Sequence, residues 1–175
     1  GIHNVVISKN LKQVTGEGDV PTANAIDYDG TIEEWLNIKF NLKKEMFAID
    51  GQGILRINGK QVNEIIIPED MTEIHDYQFA GMALSTVYVP KSLKRIGKYA
   101  FAWCHDLERV QYSSVKTPAS AKKCQSKTDA RQFITIGDCA FLMNKKLTDI
   151  SFAEVVDSIG NRAFYSTAWL DKQPD

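Results

Sequence analysis

The residue types that carry most protein chemistry are few in this chain and lie far apart. The three histidines, His3, His75 and His105, have no spacing that would bring them to one site. No Ser-His-Asp order, glycine-rich phosphate loop or H-E-x-x-H motif occurs along the sequence. The carboxylates of Glu33 and Glu34 are adjacent, which is typical of a solvated surface. These features predict a protein that is not an enzyme and holds no cofactor.

One acidic stretch, D-Y-D-G-T-I-E-E-W, matches part of a calcium-binding loop. Asp27, Asp29 and Gly30 stand at the spacing of an EF-hand. The first and twelfth ligand positions would be Ala25 and Leu36, whose side chains have no oxygen. A polar turn that begins a helix is the better interpretation, and we predict no metal site.

The three cysteines, Cys104, Cys124 and Cys139, are odd in number and lack C-x-x-C spacing. They indicate neither a disulfide framework nor a zinc site. Cys139 lies beside an Ala-Phe pair and is expected to pack in the core, whereas Cys124 lies in a basic stretch and is expected to be exposed. A disulfide between Cys104 and Cys124 stays open, because sequence gives no distance between them.

Composition places the chain among ordinary globular proteins of one domain. It has 175 residues, 43% hydrophobic and 25% charged, with a formal net charge of −1. This charge gives no attraction to nucleic acid, and no apolar run approaches the roughly 18 residues of a membrane-spanning helix. We expect a soluble chain. Gly1 resembles the residue left by tag cleavage, so we expect that a signal peptide has been removed.

Repeats fill most of the sequence and must position any site. Four times an isoleucine, here called the anchor, is followed five residues later by a phenylalanine, and three of these phenylalanines directly follow an alanine. Such self-similarity is the signature of a repeat architecture. The pairs are Ile74 and Phe79, Ile96 and Phe101, Ile136 and Phe141, and Ile159 and Phe164.

Upstream of each anchor lies an apolar triplet with a spacing of three and then two residues. Residues two apart share one face of a strand, so the last two members of each triplet should point into a core. One coil cannot bury its own apolar side, so stacked coils must share that core, with the four phenylalanines in one buried column. We expect the chain to turn at Gly97, Gly137 and Gly160. The triplets are Val62, Ile65 and Ile67; Leu84, Val87 and Val89; Leu107, Val110 and Tyr112; and Leu147, Ile150 and Phe152.

Residues 84–107, L-S-T-V-Y-V-P-K-S-L-K-R-I-G-K-Y-A-F-A-W-C-H-D-L, resemble the BspA-type leucine-rich repeats of bacterial surface proteins almost position for position. Residues 26–40 are similar to a variant turn of that family. The resemblance implies an α/β repeat solenoid, a right-handed superhelix of short parallel strands with irregular or short helical backs. In such repeats the residue three before a leucine, here Cys104 or Asn144, faces the loop backbone, so we expect a buried thiol at Cys104.

We divide the single domain, residues 1–175, into variant coils with a short helix (1–61) and regular repeats (62–175). Thr31 and Glu34 have the spacing of a capping box that would begin the helix. Trp35 is expected to fill the core position that phenylalanine takes in regular coils. The Asp-Gly at 50–51 and the Asn-Gly at 58–59 predict tight turns, and with them a hairpin or meander before the main array.

A polar stretch, residues 113–131, accounts for an insertion of 17 residues between the third triplet and its anchor. It has five basic residues against one aspartate and is expected to be a loop. Lys122 and Lys123 could steer an anionic partner to the protein. A solvated tether without a function is the alternative.

Strand alternation predicts which side chains face outward. Ile66, Tyr88 and Arg109 have the apolar, aromatic and guanidinium groups that are typical of interface anchors. The outward strand positions are Glu64, Ile66, Thr86, Tyr88, Arg109, Gln111, Asp149 and Ser151, and the candidate partner-binding residues are the first six of these with Lys122 and Lys123.

The resemblance implies a secreted or surface-anchored bacterial module that binds a protein, such as a host surface or matrix protein, in adhesion. A glycan-binding module is one alternative, with Tyr88 and Trp103 stacking on sugar rings. A structural spacer without a ligand is the other. Fold alone does not choose among them.

Overall fold

The chain folds into a solenoid of short parallel strands, as expected, and the residues that can be described include only one short α-helix. The structure, a computed structural model, describes residues 4–16, 24–42, 52–112, 133–152 and 155–174. The insertion expected at 113–131 lies outside these residues, so its conformation stays a prediction.

The elements are short, and most strands have two to four residues. In chain order they are β1 (Asn4–Ile7), β2 (Gln13–Gly16), β3 (Ala25–Tyr28), α1 (Ile32–Leu36), β4 (Lys39–Leu42), β5 (Ile54–Ile57), β6 (Lys60–Gln61), β7 (Glu64–Ile66), β8 (Glu73–Ile74), β9 (Thr86–Val89), β10 (Arg95–Ile96), β11 (Arg109–Tyr112), β12 (Ile134–Ile136), β13 (Asp149–Ile150) and β14 (Val156–Ile159), with a 3-10 turn at Leu170–Lys172.

Two parallel sheets run along the regular coils. The front sheet has the order β7-β9-β11-β13, and the rear sheet has the order β8-β10-β12-β14. Each coil gives one strand to each sheet, so neighbouring strands are equivalent segments of successive coils. In the N-terminal part, β1, β3 and β5 form a third parallel sheet, and β2 pairs with β4.

The four repeated phenylalanines form one buried column between the sheets. The ring centroids of Phe79 and Phe101 lie 5.3 Å apart, those of Phe101 and Phe141 5.4 Å, and those of Phe141 and Phe164 5.2 Å. The rings are nearly parallel, with interplanar angles of 11°, 7° and 4°. The predicted column is therefore confirmed, and each ring packs against its equivalent in the next coil.

Backbone hydrogen bonds join the coils along the same column. The N–H of Phe79 donates to the carbonyl of Ala100 at 2.9 Å, and the N–H of Phe101 donates to that of Ala140 at 2.8 Å. The residues two before and two after each phenylalanine have a positive φ, for example 54° at Tyr99 and 57° at Trp103. Around Phe79, Phe101 and Phe141, the N–H groups of these residues also donate to the next coil. A left-handed backbone conformation costs roughly 1–2 kcal/mol at a non-glycine residue. In the coils that have a following coil, each residue in this conformation also makes one more hydrogen bond between coils.

The glycines after the anchor isoleucines serve a purpose that differs from the expected one. Gly97, Gly137 and Gly160 do not have a positive φ, so they are not needed to turn the chain. A Cβ on Gly97 would lie 2.5 Å from the backbone N of Asp76 in the preceding coil, and one on Gly137 would lie 2.7 Å from that of Lys98. These glycines therefore let the backbones of successive coils approach each other closely.

The short helix α1 begins with the predicted capping box. Thr31 Oγ1 accepts from the N–H of Glu34 at 3.3 Å, and Glu34 Oε2 accepts from the N–H of Thr31 at 2.9 Å. Trp35 is fully buried and belongs to the same core cluster as the phenylalanine column. Its carbonyl accepts from Gln78 Nε2 at 2.7 Å. Gln78 stands where the regular coils have alanine, because its neighbour here is the helical coil rather than another regular one.

The predicted hairpin is present at one of the two Gly-containing turns. Asn58 and Gly59 have φ values of 50° and 75° and join β5 to the antiparallel strand β6. However, β5 also pairs in parallel with β3, so it continues the sheet of the variant coils as well as forming a hairpin. The other predicted turn, at 50–51, lies outside the described residues and stays a prediction.

Truncation of a ring in the middle of the column should be costly. Phe101 is sandwiched between two other rings, so Phe101→Ala should lower the free energy of unfolding by ~3–5 kcal/mol. Phe133 is an exposed aromatic residue and provides the matched control, for which we expect a change within about 0.5 kcal/mol. Urea denaturation measures both, and equal losses for the two variants would contradict the assignment of the column.

Candidate partner-binding surface

The strands of the front sheet place the predicted surface residues in two rows. Parallel pairing aligns Glu64, Thr86, Arg109 and Asp149 in the first row. The second row aligns Ile66, Tyr88 and Gln111. Neighbours in a row are about 4.8 Å apart, the distance between paired strands. We call the surface formed by these two rows the front face.

Exposure along the front face agrees with the prediction at most positions. Glu64 and Arg109 are exposed, Ile66 is 41% exposed, and Tyr88 and Gln111 are half-buried. Thr86 is only 2% exposed, so the prediction that it is accessible is wrong. Its short side chain stands in register between the longer side chains of Glu64 and Arg109. Residue alternation predicts the face on which a side chain lies, but not how far its neighbours cover it.

Polar contacts engage part of the front face and leave Arg109 available. Gln111 Nε2 donates to Asp149 Oδ2 at 2.7 Å, and Ser151 Oγ accepts from the N–H of Tyr112 at 2.8 Å. Among the described residues Arg109 has no ion pair. Arg109, which has no ion pair within the part of the chain described, therefore lies on the same face as the exposed Ile66 and the partly exposed Tyr88.

Two of the predicted binding residues, Lys122 and Lys123, lie outside the described residues. Their contribution to binding stays a prediction. Cys124 lies outside them as well, but Cys104 is a free, buried cysteine, so the structure does not contain the disulfide considered between Cys104 and Cys124.

The aromatic pair considered for sugar stacking lies on different parts of the coil. Tyr88 is on strand β9 of the front sheet, whereas Trp103 lies in the turn that follows β10. Trp103 is half-buried. Its ring stacks on that of Tyr99, with the ring centroids 5.6 Å apart and an interplanar angle of 6°. Tyr99 in turn stacks on Tyr77 at 5.1 Å. One face of the indole is thus already covered, which weakens the expectation that it binds a sugar ring.

Sequence reasoning missed this second aromatic column, although a signal was present. Tyr77 and Tyr99 each stand three residues after an anchor isoleucine, and this common spacing places them side by side in the solenoid. Trp103 adds a third ring from the same turn as Tyr99. Since the rings cover one another, the column contributes to packing between coils.

A charged cluster on the rear sheet also links two coils. Arg95 Nη2 donates to Asp76 Oδ1 at 2.6 Å, and Arg95 Nη1 lies 3.8 Å from Glu73 Oε2. His75 Nδ1 lies 3.3 Å from Glu73 Oε1, and burial lowers the pKa of His75. All four residues have a partner within the cluster, so it ties β8 to β10 and offers no free group.

Cys104 is a buried structural thiol, as expected. Its Sγ donates to the carbonyl of Phe79 in the preceding coil at 3.1 Å. Burial raises the pKa of the Cys104 thiol to about 12. Asn144 takes the equivalent position in the next coil and is also fully buried. At neutral pH Cys104 is therefore protonated and a poor nucleophile.

The described part of the chain contains no group of three or more His, Cys, Asp and Glu side chains that could hold a metal ion. Within the same residues, no helix is long and apolar enough to cross a membrane. Asp27, which prompted the comparison with a calcium loop, instead pairs with Arg56 Nη1 at 3.2 Å.

Cys104 should resist alkylation while the protein is folded. With a pKa of about 12 and no exposed surface, the thiol should stay unmodified by iodoacetamide at mildly alkaline pH and should react in urea. Mass spectrometry of the Cys104 peptide measures the extent of modification. If the native and unfolded proteins reacted at the same rate, the buried position of this thiol would be wrong.

Comparison with known families agrees with the coil geometry. A protein-family model for the BspA type leucine rich repeat region, in 6 copies, matches residues 57–128 and 119–172. No curated protein and no solved structure shows a match to the chain. The family match covers more than half of the chain and includes all four anchor isoleucines with their phenylalanines. The chain therefore belongs to the family of BspA-type leucine-rich repeat proteins.

Proposed function

We propose that this domain is a non-catalytic protein-binding module of a bacterial cell-surface or secreted protein, and that it acts in adhesion. The front face is the proposed binding surface. The family supports this proposal, because its repeats are associated with bacterial surface and secreted proteins and their solenoids are typically non-catalytic. The rigid, strand-lined surface also suits recognition of an extended partner.

The observation that carries the proposal is the position of Arg109. Its guanidinium has no ion pair among the described residues and lies on the same face as Ile66 and Tyr88. Arginine and tyrosine are enriched among the residues that dominate binding energy at protein interfaces. A protein partner with a carboxylate beside an apolar side chain would complement these three residues. Glu64 and Gln111 would lie at the rim, and Lys122 and Lys123 would add salt-dependent attraction to an acidic partner.

A glycan-binding function is the second candidate, and a spacer without a ligand is the third. Tyr88 is the observation that favours a glycan, since its partly exposed ring lies on the front face. The stacking of Trp103 on Tyr99 covers one face of the second ring that such a site was expected to use, which makes a glycan site less well supported. Protein binding is therefore the better supported function.

Substitutions on the front face should weaken binding of the partner. The wild-type domain is screened against a panel of host surface and matrix proteins and against a glycan array, and affinities are then measured for Arg109→Glu and Tyr88→Ala. We expect each variant to lose at least about tenfold in affinity for a protein partner, as interface anchors do.

Lys94→Glu supplies the matched control. It makes the same change in charge as Arg109→Glu, on an exposed residue just before β10 of the rear sheet, and should bind like the wild type. Signals on the glycan array alone would favour the second candidate. Equal losses for Lys94→Glu and Arg109→Glu would show that net charge, and not the front face, determines binding.

A further inference from the structure

Both sides of the solenoid are interrupted at the same place, between the variant coils and the regular coils. On the rear side β2 pairs with β4 and β8 pairs with β10, but β4 and β8 are not paired in the described part of the chain. On the front side the third sheet ends at the hairpin strand β6, and the front sheet begins at β7. We call this boundary the joint.

The joint is held closed by polar contacts and by the shared core. The N–H of Gly53 donates to the carbonyl of Gly81 at 2.9 Å, and the N–H of Ala83 donates to the carbonyl of Gly53 at 2.8 Å. Gln78 Nε2 donates to the carbonyl of Trp35 across the same boundary. Between two regular coils, by contrast, both the front sheet and the rear sheet continue. The array should therefore open most easily at the joint.

His75 stands at the joint in the place of a glycine. Directly after their anchors the other regular coils have Gly97, Gly137 and Gly160, where a Cβ would meet the backbone of the preceding coil. The first regular coil has His75 at that position. Only 15% of its side chain is exposed. Because β4 is not paired with β8, the imidazole fills space that inner coils close by direct approach of their backbones.

Charged groups from three elements surround His75. Its Nδ1 lies 3.3 Å from Oε1 of Glu73 on β8, and Asp76 follows it in the chain. Arg95 on β10 contacts both of these carboxylates, and Lys39 on β4 acts on the imidazole from across the joint. Burial is the largest cause that lowers the pKa of His75. The positive charges of Lys39 and Arg95 also lower this pKa, while Glu73 and Asp76 oppose the change.

The lowered pKa gives the direction of the pH effect. In an open joint the imidazole is in water and takes up a proton as the pH falls through about 6.5. In the closed joint the same group resists protonation, so the open state binds more protons over the range from about pH 6.5 down to the lower pKa of the closed joint. The contribution of His75 to closure is complete above about pH 6.5 and is lost as the pH falls through this range.

We propose that the joint is a pH-sensitive hinge, in which the neutral imidazole of His75 keeps the variant coils against the regular coils and its protonation at mildly acidic pH lets the two parts separate. Protonation places a third cation beside Lys39 and Arg95 in a position that water hardly reaches. The two carboxylates nearby are already engaged with Arg95. The regular coils stay folded, and the hinge does not depend on which partner the front face binds.

The test compares amide hydrogen exchange of the full chain at about pH 7.5 and about pH 5.5, with each rate corrected for the intrinsic pH dependence of exchange. The reporters are the N–H of Gly53, whose bond to Gly81 crosses the joint, and the buried indole N–H of Trp35. We expect the protection of both groups to fall by about threefold or more at the lower pH. Phe101, whose N–H donates to Ala140 within the regular coils, should keep its protection.

His75→Gln keeps a polar side chain at the joint but takes up no proton in this range. It should remove the pH dependence at Gly53 and Trp35. His105→Gln is the matched control, because His105 is also half-buried but lies within the regular coils, and it should behave like the wild type. NMR titration of the His75 imidazole in the unaltered chain is a second measurement. Its midpoint should lie below that of free histidine and should coincide with the fall in protection.

Several results would overturn the proposal. One is protection at Gly53 and Trp35 that is the same at both pH values, and another is a pH dependence that persists in His75→Gln. An equal fall at Phe101 would mean that the whole solenoid loses stability and not the joint. A His75 titration at or above the midpoint of free histidine, or away from the fall in protection, would show that this imidazole does not operate the hinge.

Discussion

Close approach between the backbones of successive coils is the constraint on which the rest of this solenoid depends. At each coil the chain passes so near its predecessor that a single methyl group on Gly97, Gly137 or Gly160 would overlap backbone atoms. The same proximity lets the N–H groups of the turn reach carbonyls of the next coil and brings the phenylalanine rings to about 5 Å from one another. Glycine, alanine and phenylalanine recur at fixed positions because the glycine allows the close backbone approach, the alanine carbonyl accepts a hydrogen bond from the preceding coil, and the phenylalanine rings stack.

The packing also explains why the front face can serve recognition. Each residue of the front face is fixed by its strand partners, so Ile66, Tyr88 and Arg109 are held at a set spacing before any partner arrives. A preorganised surface loses little conformational entropy on binding. The coils carry the stability, while the outward positions of the strands can vary without disturbing it. The proposed binding residues occupy such positions.

The sequence predicted the coils well because their core positions repeat. The phenylalanine column follows from spacing and the capping box at Thr31 from a local motif, while the burial of Cys104 is what the resemblance to leucine-rich repeats implies. Three features did not follow. The role of Gly97 depends on how close the preceding coil lies. The burial of Thr86 depends on the side chains of its strand neighbours. The hydrogen bond of Gln78 to Trp35 depends on the helical coil that lies next to Gln78. Each of these three features depends on contacts between neighbouring coils, whereas the repeat pattern in the sequence describes the residues of one coil only.

The effect of Gly137→Ala on the free energy of unfolding tests the central claim most directly. The nearest neighbours of an added Cβ are backbone atoms, at 2.7 Å for Lys98 N and 2.8 Å for Gly97 C, which cannot move aside as a side chain can. We predict that Gly137→Ala destabilises the protein by about 1–3 kcal/mol, as overpacking does, while Ser158→Ala on the exposed surface changes little. If Gly137 served only as a flexible turn, alanine would instead stabilise the protein by about 0.4–1 kcal/mol by restricting the unfolded chain. A neutral or stabilising Gly137→Ala would contradict the account.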